Sequence, residues 1–339
     1  MTDLLVAGRD EGAFPAAAAW VGVASMAGVR AFEGYVGGAE RKTRWDVASL
    51  TKPMAVVDLC MREVSAGALD LDAPIEPTLP AFITPRALLG HRAGLPAWKD
   101  LVAALPPGFR PGSRATRLAL LALVRQAARE ASPERGCEYS DLGFMLLGAC
   151  LEARLGPLAE RVRGYRPIPE RVRAWRGRGL PAYAGAGWCP WRGREVVGEV
   201  HDPNAWAWGG AAGHAGIFAS ARRVGRWVMG LARGMAAGID PGVVRVFWER
   251  PTDGATWALG WDTPSPGASS AGATVGGDAV GHLGFTGTSV WVEPERGLVI
   301  VLLTNRVALG PEAQARLKAF RPRFHDEVRA ALGRVGARP

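Results

Sequence analysis

Strand-like segments stand at both ends of this 339-residue chain, and helical segments fill most of the space between them. Ala17 to Ala24 and Gly28 to Tyr35 read as two strands joined at Met26-Ala27-Gly28, a hairpin at one edge of an antiparallel sheet. Near the other end, Ala279 to Leu283, Thr288 to Glu293 and Leu298 to Leu303 read as three more. The turn Pro294-Glu295-Arg296-Gly297 joins the last two. Ala255 to Trp261 also alternates like a strand. Helical patterns cover residues 4–13, Pro85 to Leu89, Arg114 to Glu130, Leu142 to Leu155, Ser220 to Met235 and Pro311 to Leu332. This order predicts an α+β fold. Its antiparallel sheet is built from both chain termini and flanked by helices, with an inserted mainly helical subdomain. We expect a single domain over residues 1–339, with a sheet subdomain of about 1–75 and 215–339 and a helical subdomain of about 76–214.

The remaining composition narrows the class. Hydrophobic residues at 48% support a sizeable core, and charged residues at 22% exclude wholesale disorder. The net charge of +9 comes from arginines spread along the chain, with no nucleic-acid-binding motif, so no nucleic-acid partner is expected. The exception to test is the Arg-rich 161–178 stretch, where binding would have to weaken steeply with salt. It belongs to a longer Arg-rich segment, 157–200, carrying Trp175, Trp188 and Trp191, whose default reading is a solvated, charged face. Cys60, Cys137, Cys150 and Cys189 show no C-x-x-C pairing, so free thiols are expected. Met1 to Leu5 carry no basic lead into an apolar core, and no apolar run approaches about 18 residues, so neither a signal peptide nor a membrane span is expected. A cytoplasmic protein follows as the expectation.

The chemistry concentrates first at Ala48-Ser49-Leu50-Thr51-Lys52, which leads into an amphipathic run through Met54, Val57, Leu59, Met61 and Val64. On a helix, residues three apart share a face, so the Lys52 amine reaches the Ser49 hydroxyl. A serine hydroxyl needs an adjacent base near neutral pH, and a desolvated lysine can serve. A serine at a helix start is also a common cap. Only four lysines occur among 41 basic residues, and lysine, unlike arginine, can lose its proton. A second cluster, Tyr139-Ser140-Asp141, precedes the apolar helix at 142, where Tyr139 can relay a proton and Asp141 can cap. The third is Gly281-His282-Leu283-Gly284-Phe285-Thr286-Gly287-Thr288. Its glycines allow close approach of a backbone or ligand, an exposed N–H there can join that of Ser49 in an oxyanion hole, and His282 stands beside it as a polar contact or proton donor.

The order and surroundings of these clusters resemble the serine β-lactamase and penicillin-binding protein superfamily, in the branch of class C β-lactamases, D-alanyl-D-alanine carboxypeptidases and related esterases. Further likenesses are Leu88-Leu89-Gly90-His91-Arg92-Ala93-Gly94-Leu95-Pro96, the glycine-rich Gly209 to Gly216, and Thr304-Asn305-Arg306 after the last strand. The resemblance covers nearly the whole chain. It implies a β-lactamase/transpeptidase-like fold and an acyl-enzyme on Ser49. It implies that Lys52 and Tyr139 share general-base and general-acid duty, and that Ser49 and Phe285 N–H groups form the oxyanion hole. Asp141, His282 and Gly284 fall at its substrate-binding positions. It implies a small-molecule substrate, with no metal and no organic cofactor.

Two departures bear on substrate. Asp141 stands where the family has an asparagine, cannot donate to a substrate carbonyl when ionised, and raises the pKa of a nearby lysine. His282 and Leu283 replace lysine and threonine, which help hold a substrate carboxylate in the family. Both changes favour a small ester or amide over a β-lactam. The alternatives are an enzyme of peptidoglycan fragments and a binding or sensor protein that retains the fold. G-x-S-x-G, H-E-x-x-H and Walker A patterns are absent, and His91, His201, His214 and His325 show no metal-ligand spacing. His201-Asp202 and His214 approach the cleft only if the glycine-rich segment lines it.

Overall fold

The computed structural model describes residues 1–165 and 183–336. Helix α1 (Thr2–Asp10) leads into β1 (Ala17–Ser25) and β2 (Gly28–Val36), paired across a two-residue turn. Far along the chain come β7 (Val280–Gly284), β8 (Thr288–Glu293) and β9 (Leu298–Thr304). They join β1 and β2 in one antiparallel sheet ordered β2-β1-β9-β8-β7. The closing pair is β1 with β9. Both are apolar on both faces, so each must be covered on both sides. Alternation divides the burial. Trp20, Val299, Val301 and Leu303 enter the larger core, under α8 (Ala221–Ala232). Val21, Ile300 and Leu302 pack with Leu5 of α1 and with Phe320 and Phe324 of α10 (Ala313–Gly336). Gly225 lets α8 lie on Trp20, since a Cβ there would fall 2.0 Å from the indole.

Between β2 and β7 the chain forms α2 (Asp58–Ser65), α3 (Pro85–Leu89), α4 (Arg114–Arg129), α5 (Asp141–Leu155), α6 (Leu158–Arg161) and α7 (Pro203–Trp208). A two-residue ladder pairs β3 (Trp45–Asp46) with β6 (Phe218–Ala219). Helix α9 (Pro241–Trp248) follows α8.

Some expectations change. Ala255 to Trp261 is no strand: Ala258 N–H donates to Trp261 O, Gly260 has φ +77°, and only an isolated bridge joins Trp257 to Asp262. A short alternating pattern that ends in a left-handed glycine becomes a turn. Helices α7 and α9 were not expected, yet both open on Asp-Pro, with Asp202 and Asp240 accepting N–H groups of the first turn. Within the Arg-rich segment, β4 (Gly185–Cys189) and β5 (Arg194–Val197) form a hairpin, while residues 166–182, with Trp175 and most of the 161–178 stretch, lie outside the described residues. Among the described residues no helix is long and apolar enough to cross a membrane.

Candidate active site

The chain reaches Ser49 through a strained turn. Ala48 has φ +48°, a left-handed conformation that costs an alanine about 1–2 kcal/mol. Its N–H donates to Asp46 Oδ1 at 2.9 Å, and the other Asp46 oxygen accepts from His201 N–H at 2.7 Å. Val47 N–H donates to Ile217 O, and Thr51 Oγ1 accepts from Ile217 N–H. Ser49 is therefore held in a 3-10 turn, Ala48–Leu50, and not in the first turn of an α-helix as the amphipathic pattern predicts. A wide π-type stretch, Lys52–Val57, follows before α2 begins. Its side chains are buried all round, so the polar face of the amphipathic pattern starts only at Asp58.

Lys52 is 0% exposed, and its Nζ lies 3.0 Å from Ser49 Oγ, 2.5 Å from Tyr139 Oη and 2.6 Å from Asp141 Oδ1. Burial pulls the Lys52 pKa down, but the neighbouring Asp141 and Tyr139 outweigh it, and the net direction is up. Tyr139 is pushed up as well, by burial first and against the pull of Lys52. The resting arrangement is thus an ammonium shared among three oxygens.

Tyr139 and Asp141 are set by the loop that follows α3. His91, itself at φ +57°, accepts Ser140 N–H on Nδ1 at 3.0 Å and packs its ring 4.7 Å from that of Tyr139. Ser140 Oγ donates to Pro96 O, and Asp141 N–H donates to Ala97 O. Ser140 is the cap of α5, accepting from Gly143 N–H, which leaves the Asp141 carboxylate free to meet Lys52. The capping reading of Asp141 is corrected accordingly. Trp257 completes the wall, its ring 5.0 Å from Tyr139 and 5.4 Å from His282. Sequence reasoning missed Trp257 and the buttressing by His91. Neither has a local signal, since both act through contacts far apart in the chain.

The end of β7 meets the Ser49 turn edge on. Thr286 Oγ1 donates to Asp46 O at 2.7 Å, and Thr288 Oγ1 to Val47 O at 2.9 Å. Gly284 has no room for a side chain, because a Cβ would fall 2.0 Å from Thr288 Oγ1 and 2.5 Å from Val47 O. These contacts bring Phe285, whose ring is largely exposed, to the same cavity wall as Ser49. His282 is almost wholly buried; its Nδ1–H donates to Leu283 O at 2.7 Å, and burial with Lys52 nearby lowers its pKa to about 3. The side chain is neutral at ordinary pH with its one proton engaged, so the expected role as proton donor is replaced by that of an acceptor.

Ser49, Tyr139, Asp141, Trp257, His282 and Phe285 line one cavity of about 590 Å³, with Lys52 buried behind its wall. The chain that forms it has recognisable relatives. Residues 2–320 match the family described as Beta-lactamase. The chain belongs to the Beta-lactamase family. A Salmonella gallinarum protein carrying the provisional name D-alanyl-D-alanine carboxypeptidase is 26% identical over 311 residues, covering 79% of this chain and 70% of that protein. The solved class C β-lactamase of Rhodobacter sphaeroides superposes with a TM-score of 0.64 at 17% identity, covering 95% of this chain and 98% of that one. EstCE1, described as a hydrolase with promiscuous acyltransferase activity, superposes with a TM-score of 0.64 at 20% identity, covering 94% and 96%. The protein is a serine hydrolase of this superfamily with its mixed α+β fold.

In this Beta-lactamase family member the glycine-rich segment does line the cleft. His214 donates from Nε2 to Asp202 Oδ1 at 2.8 Å, and Asp202 Oδ1 also accepts Ala205 N–H at 2.7 Å. Burial raises the Asp202 carboxyl, but His214, Ala205 N–H and Lys52 pull harder, and it is held below the usual range. Polar atoms of Asp141, Asp202 and His214 lie within 4.8 Å of one another, a spacing that can hold a metal ion. Lys52 and His214 already donate to the two carboxylates, however, and the Lys52 ammonium would repel a dication there.

Proposed function

We propose that Ser49 Oγ is the nucleophile, that Lys52 and Tyr139 move its proton, and that the Ser49 and Phe285 N–H groups hold the oxyanion. The observation that carries this reading is the single buried Lys52 Nζ within 3.0 Å of Ser49 Oγ and 2.5 Å of Tyr139 Oη. In the form in which Lys52 has lost its proton, Ser49 Oγ forms a bond to the acyl carbonyl carbon while its own proton passes to the Lys52 amine. The tetrahedral intermediate collapses, the bond to the leaving alcohol or amine breaks, and Tyr139 returns a proton to it. Water, or another acceptor, then adds to the Ser49 ester by the reverse sequence. A small ester or amide fits best, because neutral His282 and apolar Leu283 supply no cation to a substrate carboxylate at the end of β7.

The test is intact-mass analysis beside p-nitrophenol release from a p-nitrophenyl ester, in wild type and Ser49→Ala. The wild type is expected to acylate and turn over, and the variant to lose at least about a thousandfold in rate. Undiminished turnover by Ser49→Ala would overturn the assignment. The names of the curated relatives favour a second reading, action on D-alanyl-D-alanine ends of peptidoglycan fragments. Stable labelling of Ser49 by a fluorescent penicillin would support it.

A pH profile separates base from nucleophile. Since Asp141 raises the Lys52 pKa, the proton-accepting form grows as pH rises, and activity climbs on the alkaline side. Asp141→Asn removes that charge. Its kcat/KM profile is expected to shift to lower pH, with a gain of about threefold or more at pH 7. An unmoved profile would show that Asp141 does not set the base.

The same reading places Ser49 where a sheet subdomain of about 1–75 and 215–339 meets a helical subdomain of about 76–214. We also assign the protein to the cytoplasm; Cys60, Cys137, Cys150 and Cys189 are all free thiols, which supports a reducing compartment.

A further inference from the structure

Strand β2 is one edge of the main sheet, and β7, beside the cleft, is the other. Ala24 N–H turns away from β2 to Gly297 O, and Ser25 faces Gly28 across the hairpin turn. The even-numbered residues of β2 therefore exchange hydrogen bonds with β1. Val29, Ala31, Glu33 and Tyr35 turn their backbone N–H and C=O groups outward, and among the described residues no backbone group pairs with them. An open edge nine residues long is a template for another strand. The two faces of this edge differ in chemistry. On one, a groove of about 740 Å³ lies between β2 and α8, lined by Arg41, Arg222, Arg226 and Arg233 against one acid, Glu33. Glu33 already serves Arg41 and Arg222, while Arg226 and Arg233 have no carboxylate partner among the described residues. On the other face Phe32, 40% exposed, borders an apolar hollow of about 160 Å³ with Leu4 of α1 and Val328 and Leu332 of α10.

We propose that β2 accepts an extended segment of a partner protein in which acidic residues alternate with apolar ones. The segment lies along β2 as a sixth strand, its backbone bonded to the outward groups of Val29, Ala31 and Glu33. Successive side chains of a strand point to opposite faces. One set, the carboxylates, then meets Arg226 and Arg233 in the α8 groove. The other set, apolar, covers Phe32 and fills the hollow beside it. A second copy of this chain is a poorer occupant. Pairing β2 with itself would set the same arginines of two molecules, each of net charge +9, against one another. A nucleic acid would match the arginines but leave the outward N–H and C=O groups and the apolar hollow unused. Four strand spacings, about 19 Å, separate this edge from β7, so occupancy leaves the Ser49 cavity open.

The probe is a capped, labelled peptide of alternating glutamate and valine, titrated into the full chain by fluorescence anisotropy. Its controls are alternating lysine and valine, alternating glutamate and glycine, and a single-stranded oligonucleotide. The glutamate–valine peptide is expected to bind best, to slow amide exchange at Val29, Ala31 and Glu33, and to bind less tightly as salt is added. Arg226→Glu with Arg233→Glu should weaken it about tenfold or more. Ala31→Pro tests the backbone pairing. Ala31 faces Gly22 in a pair that exchanges no hydrogen bonds, so proline removes an outward N–H and leaves the β1 ladder whole. It should weaken the peptide about threefold or more. Urea unfolding checks that each variant folds. If Ala31→Pro does not, the charge-reversed variant and the exchange protection in wild type decide the question. Failure of the glutamate–valine peptide to bind, equal binding of the lysine or glycine control, or tighter binding of the oligonucleotide would each overturn the proposal. So would affinity unchanged in both variants, or self-association that protects the same β2 amides without peptide.

Discussion

Lys52→Met is expected to lower kcat/KM by about 10²–10⁴-fold and to destabilise the fold as well. Methionine fills the volume of the lysine stem but removes the ammonium that Ser49, Tyr139 and Asp141 share. In the mechanism proposed above Ser49 loses its base. Asp141, with a side chain 16% exposed, is left with a carboxylate facing a fully buried neutral neighbour. Breaking a buried pair from one side costs about 3–5 kcal/mol, discounted here because Asp141 keeps some contact with water. Adding Asp141→Asn to Lys52→Met should therefore restore much of the stability and none of the activity. Urea unfolding with ester turnover on the same preparations separates the two effects. A double variant no more stable than Lys52→Met would show that the pair is not what is lost.

Gly284→Ala is expected to damage both folding and rate by a different route. The new methyl would lie 2.0 Å from Thr288 Oγ1 and 2.5 Å from Val47 O. The first contact breaks the Thr288 hydrogen bond to Val47 O, and the second pushes against backbone, which yields little. Overpacking of this kind costs about 1–3 kcal/mol. In the mechanism proposed above it also moves the Phe285 N–H away from Ser49, and losing one oxyanion donor costs about 10²–10³-fold in kcat. The check is kcat at saturating ester with unfolding in urea. A variant of full stability and full kcat would remove β7 from the oxyanion hole.

The local pattern of the chain was legible where one element satisfied itself. The β8 span was read to the residue, β1, β2 and β9 to within one or two, and α4 and α5 to within a residue, because periodicity and caps are local signals. The Ser49 segment was misread as a single helix. Its apolar spacing is real, but in the structure burial on all sides lets Lys52–Val57 widen and Ser49 occupy a 3-10 turn. The Asp-Pro starts of α7 and α9 are local helix-start signals of the same kind.

Motif chemistry and spacing single out Ser49, Lys52, Tyr139 and His282 as candidates, the superfamily resemblance adds Asp141, Gly284 and Phe285, and the order of elements gives the α+β fold that carries them. This much is legible because residue type limits what each group can donate, accept or lose. The charge states needed the fold. Lys52 lies between the pull of burial and the opposing push of Asp141, and His282 is held neutral by burial beside Lys52. Asp202 meets Asp141 only when the glycine-rich segment folds back over the cleft, 61 positions along the chain. Electrostatic energy depends on distance and desolvation in space, and neither is written in the spacing of residues along the chain.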